Sequence, residues 1–397
     1  MYQFQYKPRS VRELLTEMKD TSDLMVDLAY ATLLYESNEL ASLVHGLESK
    51  MDELMYTIRI MAAVAARNVR EAQKITGILQ VASAAEAISN ATGDMADLIR
   101  MGMGIHPVIK DALRAADEKI VKVRVSGGAT LDGKKLNEIK LPSTIGVWLL
   151  AIKRGDEWMA PLDKGTRVLA GDELVAKGPW HGMRILREMA GARAEPFTLG
   201  KELESLRKEL SKMRDLSDIT VDLAYSSLML GSMEVAEEVR EIEESFNKFN
   251  YKAWLDTLTI ASKLESDIPR LNSVLQMVKC MEKISDAADS IVDVVIRKIE
   301  LHPVFAKALS ETLEKICRVK VAKGSRFVNK TLEELNLWGT VGVYVLVIKR
   351  GNKHIIAPGG NVKLKAGDVA TVRGSFEGIE KFEKDAFSTC EPSGVTS

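Results

Sequence analysis

Asp20-Thr-Ser-Asp-Leu-Met-Val-Asp-Leu-Ala-Tyr30 returns, with few changes, as Asp215-Leu-Ser-Asp-Ile-Thr-Val-Asp-Leu-Ala-Tyr225. Working outward, further pairs keep roughly the same separation: His106-Pro107 with His302-Pro303, Ile145-Gly-Val147 with Val341-Gly-Val343, Ile152-Lys-Arg-Gly155 with Ile348-Lys-Arg-Gly351, and Ala170-Gly-Asp172 with Ala366-Gly-Asp368. So long a period describes one large unit duplicated, not a solenoid of short repeats. Like units usually associate through self-complementary faces, so the fused copies are expected to fold as a pseudo-twofold pair.

Composition sets the bounds. The 397 residues are 46% hydrophobic and 28% charged, enough apolar surface for several packed domains and too much for a disordered chain. Lys+Arg 55 against Asp+Glu 56 leaves a net charge of -1, which argues against a nucleic-acid partner gripped by a broad basic surface. Cys280, Cys317 and Cys390 share no close spacing and are too few for a disulfide framework, which suits a reducing interior. The first residues lack the apolar core of a signal peptide. The longest apolar runs, Ile145 to Ile152 and Val341 to Ile348, are far short of the ~20 residues that span a bilayer. A cytoplasmic protein is expected, reaching a membrane only through a partner.

Each copy divides in two. Ser10-Val-Arg-Glu13 is a capping-box signature, and Val11, Leu14, Met18, Met25 and Leu28 recur at helical spacing, with no proline until Pro107. Gly46 and Gly77 are the expected breaks between three helices, and Gly102, Gly104 and Pro107 end the last. The second copy runs from about Lys201 to Pro303, with Pro269 near the start of its third helix. Beyond the helices, Ile120 to Val125 reads as a strand, Leu131 to Ile139 as a short helix and Ile145 to Ile152 as a buried strand. Further strands lead to Pro161, around Arg167 to Leu169, and to Gly178. So small a domain has a small core and is expected to pair with its twin.

On these residues the strand part resembles the TrkA-C or RCK-C domain, the C-terminal regulatory domain of potassium transport and conductance regulators. Ile145 to Gly155, Ala160-Pro161 and Ala170-Gly-Asp-Glu173 carry the likeness, with Val341 to Gly351, Ala357-Pro358 and Ala366-Gly-Asp368 in the second copy. The helical part resembles the PhoU family of three-helix-bundle repeats. The expected fold class is α+β and multidomain: PhoU-like bundles at 1–115 and 196–311, β-α-β-β-β TrkA-C-like domains at 116–195 and 312–385, and a flexible tail at 386–397.

The acidic positions hold the most chemistry. Asp20, Asp23 and Asp27 stand at i, i+3 and i+7, on one helix face, and Asp215, Asp218 and Asp222 repeat them. Glu86, Asn90, Asp94 and Asp97 form a second stripe, matched by Glu282, Asp286, Asp289 and Asp293. Two like charges about 4 Å apart cost about 4 kcal/mol at an effective dielectric of ~20, so inward carboxylates must be solvated, protonated, paired with Lys or Arg, or bound to a cation. Oxygen-only clusters suit Mg, Ca, Mn or iron, and the PhoU resemblance implies carboxylate motifs that hold metals in some members. The acid-x-x-x-acid spacing is kept at Asp23/Asp27, Asp218/Asp222 and Glu282/Asp286, while Glu86/Asn90 departs from it. Structural ion pairs are the alternative for all of them, Asp94 included. His106 and His302 precede prolines as turn or cap residues, and His45, His181 and His354 have no partner at a ligand spacing. With no nucleophile elbow, Walker loop or acid–base dyad, no catalysis is expected.

Two functions compete. The TrkA-C resemblance implies a regulatory subunit of a membrane cation channel or transporter, potassium foremost, with a small-molecule effector, an ion or a nucleotide such as a cyclic dinucleotide, between paired domains. By position in the matched elements the ligand falls near Ile145, Gly146, Pro161, Val341, Gly342 and Pro358. The PhoU resemblance implies instead a regulator of phosphate transport or signalling that binds a divalent metal or iron. Either is compatible with a homodimer.

Overall fold

The computed structural model describes residues 9–102, 104–192, 203–263, 268–299, 304–351 and 353–386. His302-Pro303, Cys390, the start of the second copy near Lys201 and the tail after Ala386 lie outside the described residues.

In the first copy, α1 (Val11–Tyr35) begins at the capping box of Ser10 and Glu13, and α2 (Asn38–Ala65) and α3 (Val69–Arg100) follow. The breaks fall at Glu36-Ser37 and Ala66 to Asn68, where Ser37 and Asn68 accept from the backbone N–H of Leu40 and Glu71. Gly46 and Gly77 lie inside α2 and α3. A mid-helix glycine costs only about 1 kcal/mol, which packing offsets, whereas side-chain caps fix where helices start. α4 (Pro107–Ala115) opens on proline, whose missing N–H has no helical partner at that position.

The small domain has β1 (Lys119–Arg124), α5 (Leu136–Ile139), α6 (Leu141–Ile145), β2 (Trp148–Arg154), β3 (Glu157–Met159), β4 (Glu173–Gly178) and α7 (Trp180–Met189). Its antiparallel sheet has the order β1-β4-β2-β3. Three details correct the sequence reading. The apolar run at Ile145 starts as helix, because Pro142 favours a first helical turn and Gly146, at φ 67, closes it. Arg167 makes a single bridge to Lys135 where a strand was expected. An amphipathic helix, α7, closes the domain and buries Met183 and Leu186 in its core.

The second copy repeats the plan with α8 (Glu204–Leu230), α9 (Met233–Ala261), α10 (Ile268–Ile296) and α11 (Val304–Leu309). Then come β5 (Lys315–Lys320), α12 (Leu332–Leu335), α13 (Leu337–Val341), β6 (Val343–Arg350), β7 (Lys353–Ile356), β8 (Val369–Gly374) and α14 (Phe376–Ala386), with sheet order β5-β8-β6-β7. In both copies an arginine grips the aspartate of the Ala-Gly-Asp turn through two bonds, Arg154 to Asp172 at 2.9 and 2.8 Å and Arg350 to Asp368 at 2.9 and 2.8 Å. Those motifs hold a turn against a strand by a bidentate charge-assisted pair.

The chain forms two compact units, and the division does not follow the repeat: one unit gathers the helical parts of both copies, the other both small domains. In the helical unit α3 and α10 pack on each other. They run antiparallel, since Gln80 Nε2 donates to the Ser290 carbonyl at 2.8 Å while Lys283 reaches Asp94 at 2.6 Å.

Candidate functional site

Three places collect the residues that carry chemistry: the seam between the bundles, the α3/α10 face, and the seam between the small domains.

At the bundle seam, the Tyr30 hydroxyl meets Ser217 Oγ at 2.8 Å, and the Arg214 guanidinium lies 5.4 Å from the Tyr30 ring centroid. The other copy answers in kind, with Lys19 Nζ 5.6 Å from the Tyr225 ring and Ser22 beside the Tyr225 hydroxyl. Burial, then the Asp218 carboxylate, drives the Tyr30 phenol above its ordinary pKa; burial, then Asp23, does the same to Tyr225. Lys19 and Arg214 are themselves buried, at 3% and 2% exposure, and serve the acidic stripes. Lys19 pairs with Asp23, and Arg214 pairs with Asp215 and Asp218, each at 3.1 Å. Asp27 and Asp222 are buried on the same faces, and carboxylate oxygens of Asp27 and Asp218 lie within 4.8 Å of one another. The stripes thus come together across the two copies, with buried cations of the protein's own among them.

On the second stripe the copies differ. Glu86 pairs with Arg59 at 3.2 Å and Asp94 with Lys283 at 2.6 Å. In the second copy the residue matching Arg59 is Trp254, and the residue matching Asn90 is Asp286. Glu282 and Asp286 therefore face Glu243 and Asp289 without that guanidinium. The Asp286 carboxyl is held above its ordinary range by burial first, then by Glu282, Glu243 and Asp289. Asp289 and Asp293 are met by Arg240, each at 3.4 Å.

Between the small domains, α6 packs on α13 and α14. Trp338 Nε1 donates to the Gly146 carbonyl at 3.1 Å, and the Trp338 and Tyr344 rings meet edge-on at 4.5 Å. Gly146 and Gly342 both take left-handed φ values, 67 and 68. A Cβ at Gly146 would overlap Trp338, and one at Gly342 would overlap the Pro142 carbonyl. Glycine alone meets both demands. Behind them runs a buried chain of charges: Glu118 to Arg373 at 3.2 Å, Arg373 to Glu314 at 3.2 Å, and Glu314 to Lys177 at 3.1 Å. Arg373 also lies 5.7 Å from the Tyr344 ring. These four residues occupy matching positions of the two copies, Glu118 with Glu314 and Lys177 with Arg373.

Of the sequence-predicted ligand residues, Gly146 and Gly342 come to this seam, while Ile145 and Val341 end the helices α6 and α13 that form it and are buried in the cores of their own domains. Pro161 and Pro358 follow the edge strands β3 and β7 instead. Sequence reasoning missed Glu118, Lys177, Glu314, Arg373 and Trp338. The one available signal was a charge repeated at matching places beside apolar strand residues, as in Val175-Ala-Lys-Gly178 and Val372-Arg-Gly374.

A TrkA-C domain model matches residues 120–191 and again 316–386. The protein is therefore one with TrkA-C domains, present twice. More particularly, it joins them to PhoU-type helices, since a PhoU domain model matches residues 210–295. No curated protein matches the chain. Among solved structures, PhoU from Pseudomonas aeruginosa is 12% identical with a TM-score of 0.43, over 72% of this chain and 93% of that one. The phosphate transport system regulatory protein PhoU from Streptococcus pneumoniae is 12% identical with a TM-score of 0.40, over 72% and 93%. The GsuK RCK domain is 11% identical with a TM-score of 0.18, over 78% and 79%. Scores this low carry no functional argument. Among the described residues no helix is long and apolar enough to cross a membrane.

Proposed function

We propose that the protein is a non-enzymatic regulatory subunit for cation transport, potassium foremost, whose paired TrkA-C domains sense a small ligand. The observation that carries this reading is the pairing itself: two TrkA-C domains of one chain share a seam in which backbone touches backbone at Gly342 and Trp338 fills the space at Gly146. A ligand shifts an equilibrium only by its different affinities for two arrangements, with couplings typically of about 1–3 kcal/mol. An ion or nucleotide arriving at Ile145, Gly146, Val341 and Gly342 finds room only where α6 and α13 separate, so it would favour one arrangement strongly. The protein's partner would be a membrane cation channel or transporter. A thermal-shift series with potassium chloride, ATP and cyclic dinucleotides tests the reading. A ligand at 100 times its dissociation constant stabilises by about 2.7 kcal/mol. Silence across the series would end it.

A second reading rests on Glu282 and Asp286. Their acid-x-x-x-acid pair, crowded by Glu243 and Asp289, suits a divalent metal or iron, as in a PhoU-like regulator of phosphate transport. Metal analysis of protein purified without chelator tests it, with Asp286→Asn as control; protein free of bound metal would remove this reading and leave the first intact.

A further inference from the structure

One position holds a cation in both bundles, and the two copies fill it with different residues. In the first copy it is His45, near the start of α2; in the second it is Arg240, the matching residue of α9. His45 Nδ1 lies 2.8 Å from Glu48 Oε2, and its Nε2 lies 3.0 Å from Asp97 Oδ1, so the ring ties α2 to the end of α3. Arg240 ties α9 to α10 in the same way, 3.4 Å from each of Asp289 and Asp293. Asp97 and Asp293 match in the repeat, but Asp289 matches Gly93. A Cβ at Gly93 would overlap the Glu48 carboxylate, 2.5 Å from its Oε2. The glycine therefore leaves the room in which Glu48 supplies the second acid that Asp289 supplies in the other copy.

The two cations differ in chemistry. A neutral imidazole has one N–H donor and one lone pair, and a lone pair set against a carboxylate oxygen is repelled. Only the imidazolium donates to both acids, so the geometry around His45 is that of the charged ring. A guanidinium stays charged throughout, whereas histidine is the side chain that changes charge between about pH 5 and 8. The charged groups that face the ring are Glu48 on its own helix and Asp97 on α3, with Arg100 3.6 Å from Asp97. Asp94, one turn earlier on α3, is taken up by Lys283 of α10. α1 packs on both helices, and among the described residues it brings no ionic partner to the ring. Loss of the proton leaves Glu48 and Asp97 with a ring that can donate to one of them only. A contact made by the protonated form holds at low pH and is lost as pH rises.

We infer that His45 is a proton-operated strap between α2 and α3, closed at acid pH and released as the ring loses its proton, while the matching strap at Arg240 stays closed. Proton concentration then acts on one bundle of a duplicated pair. This goes beyond the regulatory reading and does not rest on it, since the strap lies within one bundle and in neither seam. The test is hydrogen exchange of the full-length protein at about pH 5.5 and about pH 8, either side of the histidine range, with each rate divided by that of an unstructured chain at the same pH. Protection over 42–50 and 94–100 should fall about threefold between the two, the size of a part-exposed ion pair, while the matching stretches 237–245 and 290–296 keep theirs. His45→Arg should remove the difference by holding protection high at both pH values, and His45→Gln should remove it by holding protection low. Ring NMR of the parent, with His45→Gln assigning the signal, is a second readout that needs no folded arginine variant: both ring N–H protons at the lower pH and one at the higher. A ring still charged at the higher pH, an equal loss of protection in both copies, or a pH dependence that survives in His45→Gln would each overturn the inference.

Discussion

The two units solve the same problem, joining two copies of one fold, with different materials. The helical seam is made of reaching side chains: Tyr30 to Ser217, Arg214 over one ring and Lys19 over the other. The TrkA-C seam is made of close backbone approach at Gly146 and Gly342, backed by the Glu118, Arg373, Glu314 and Lys177 chain. Long side chains absorb small shifts by changing rotamer. A glycine pressed on a carbonyl cannot, so the second seam is either closed or parted. Packed interfaces of that kind are bistable, not continuously deformable. On the proposed function, ligand response would belong to the TrkA-C unit and steady support to the helical one.

The largest effect that would break this comparison is expected at Arg373. Arg373→Met removes the guanidinium that meets both Glu118 and Glu314, two largely buried carboxylates. Removing one member of a buried ion network costs about 3–5 kcal/mol, because the stranded charge stays desolvated. Chemical denaturation followed in the TrkA-C unit should show that loss. A cost below about 1 kcal/mol, the range of surface ion pairs, would mean that water reaches these charges and the seam is not dry.

Gly342→Ala comes next. A side chain in the left-handed region costs about 1–2 kcal/mol, and forcing atoms into a packed contact adds about 1–3 kcal/mol. Gly351 has nearly the same φ, 62, with open space around its absent Cβ, so Gly351→Ala should show the first cost alone. Equal losses in the two variants would remove the close approach from the account. Smaller again is Tyr30→Phe. It deletes one buried hydrogen bond, while Ser217 keeps its bond to the Arg214 carbonyl at 2.8 Å, and should cost about 1 kcal/mol with no change in ligand response. A changed response would carry the switch into the helical seam and erase the contrast.

Much of this architecture is legible in the sequence because it is local. The capping box at Ser10 starts α1 where the pattern says, and the repeated Ala-Gly-Asp turns are where Asp172 and Asp368 anchor. The breaks after α1 and α2 were misread because glycine is a weaker signal than the Ser37 and Asn68 caps. The site was less legible. The acidic stripes were visible, but nothing in the sequence marks Lys19 and Arg214, which open the Lys-Asp and Arg-Asp pairs of the repeat, as the cations that the fold buries. Trp338 against Gly146 joins residues 192 positions apart, which no spacing rule reaches.

The smallest predicted effect decides between paired and unpaired carboxylates, and compares Asp286 with its neutral counterpart, Asn90. The folded state holds the Asp286 carboxyl above its unfolded value, so folding takes up a proton as pH falls through that raised pKa. At neutral pH the ionised group therefore weighs against the fold, and that burden is relieved between the raised pKa and the ordinary aspartate value. Asp286→Asn should stabilise the protein slightly at neutral pH, by less than about 1 kcal/mol because the group is only part-buried and water screens it, and the gain should vanish on acidification. A divalent cation held by Glu282 and Asp286 would do at neutral pH what protons do at low pH, stabilising the parent but not the variant. Melting curves of both proteins across pH, with and without manganese, separate the cases. A variant less stable than the parent at neutral pH would show that Asp286 has a favourable partner and that its stripe is paired like that of Lys19 and Arg214. A gain that manganese leaves untouched would show a solvated acidic face, and the contrast between the two copies would then be one of charge alone.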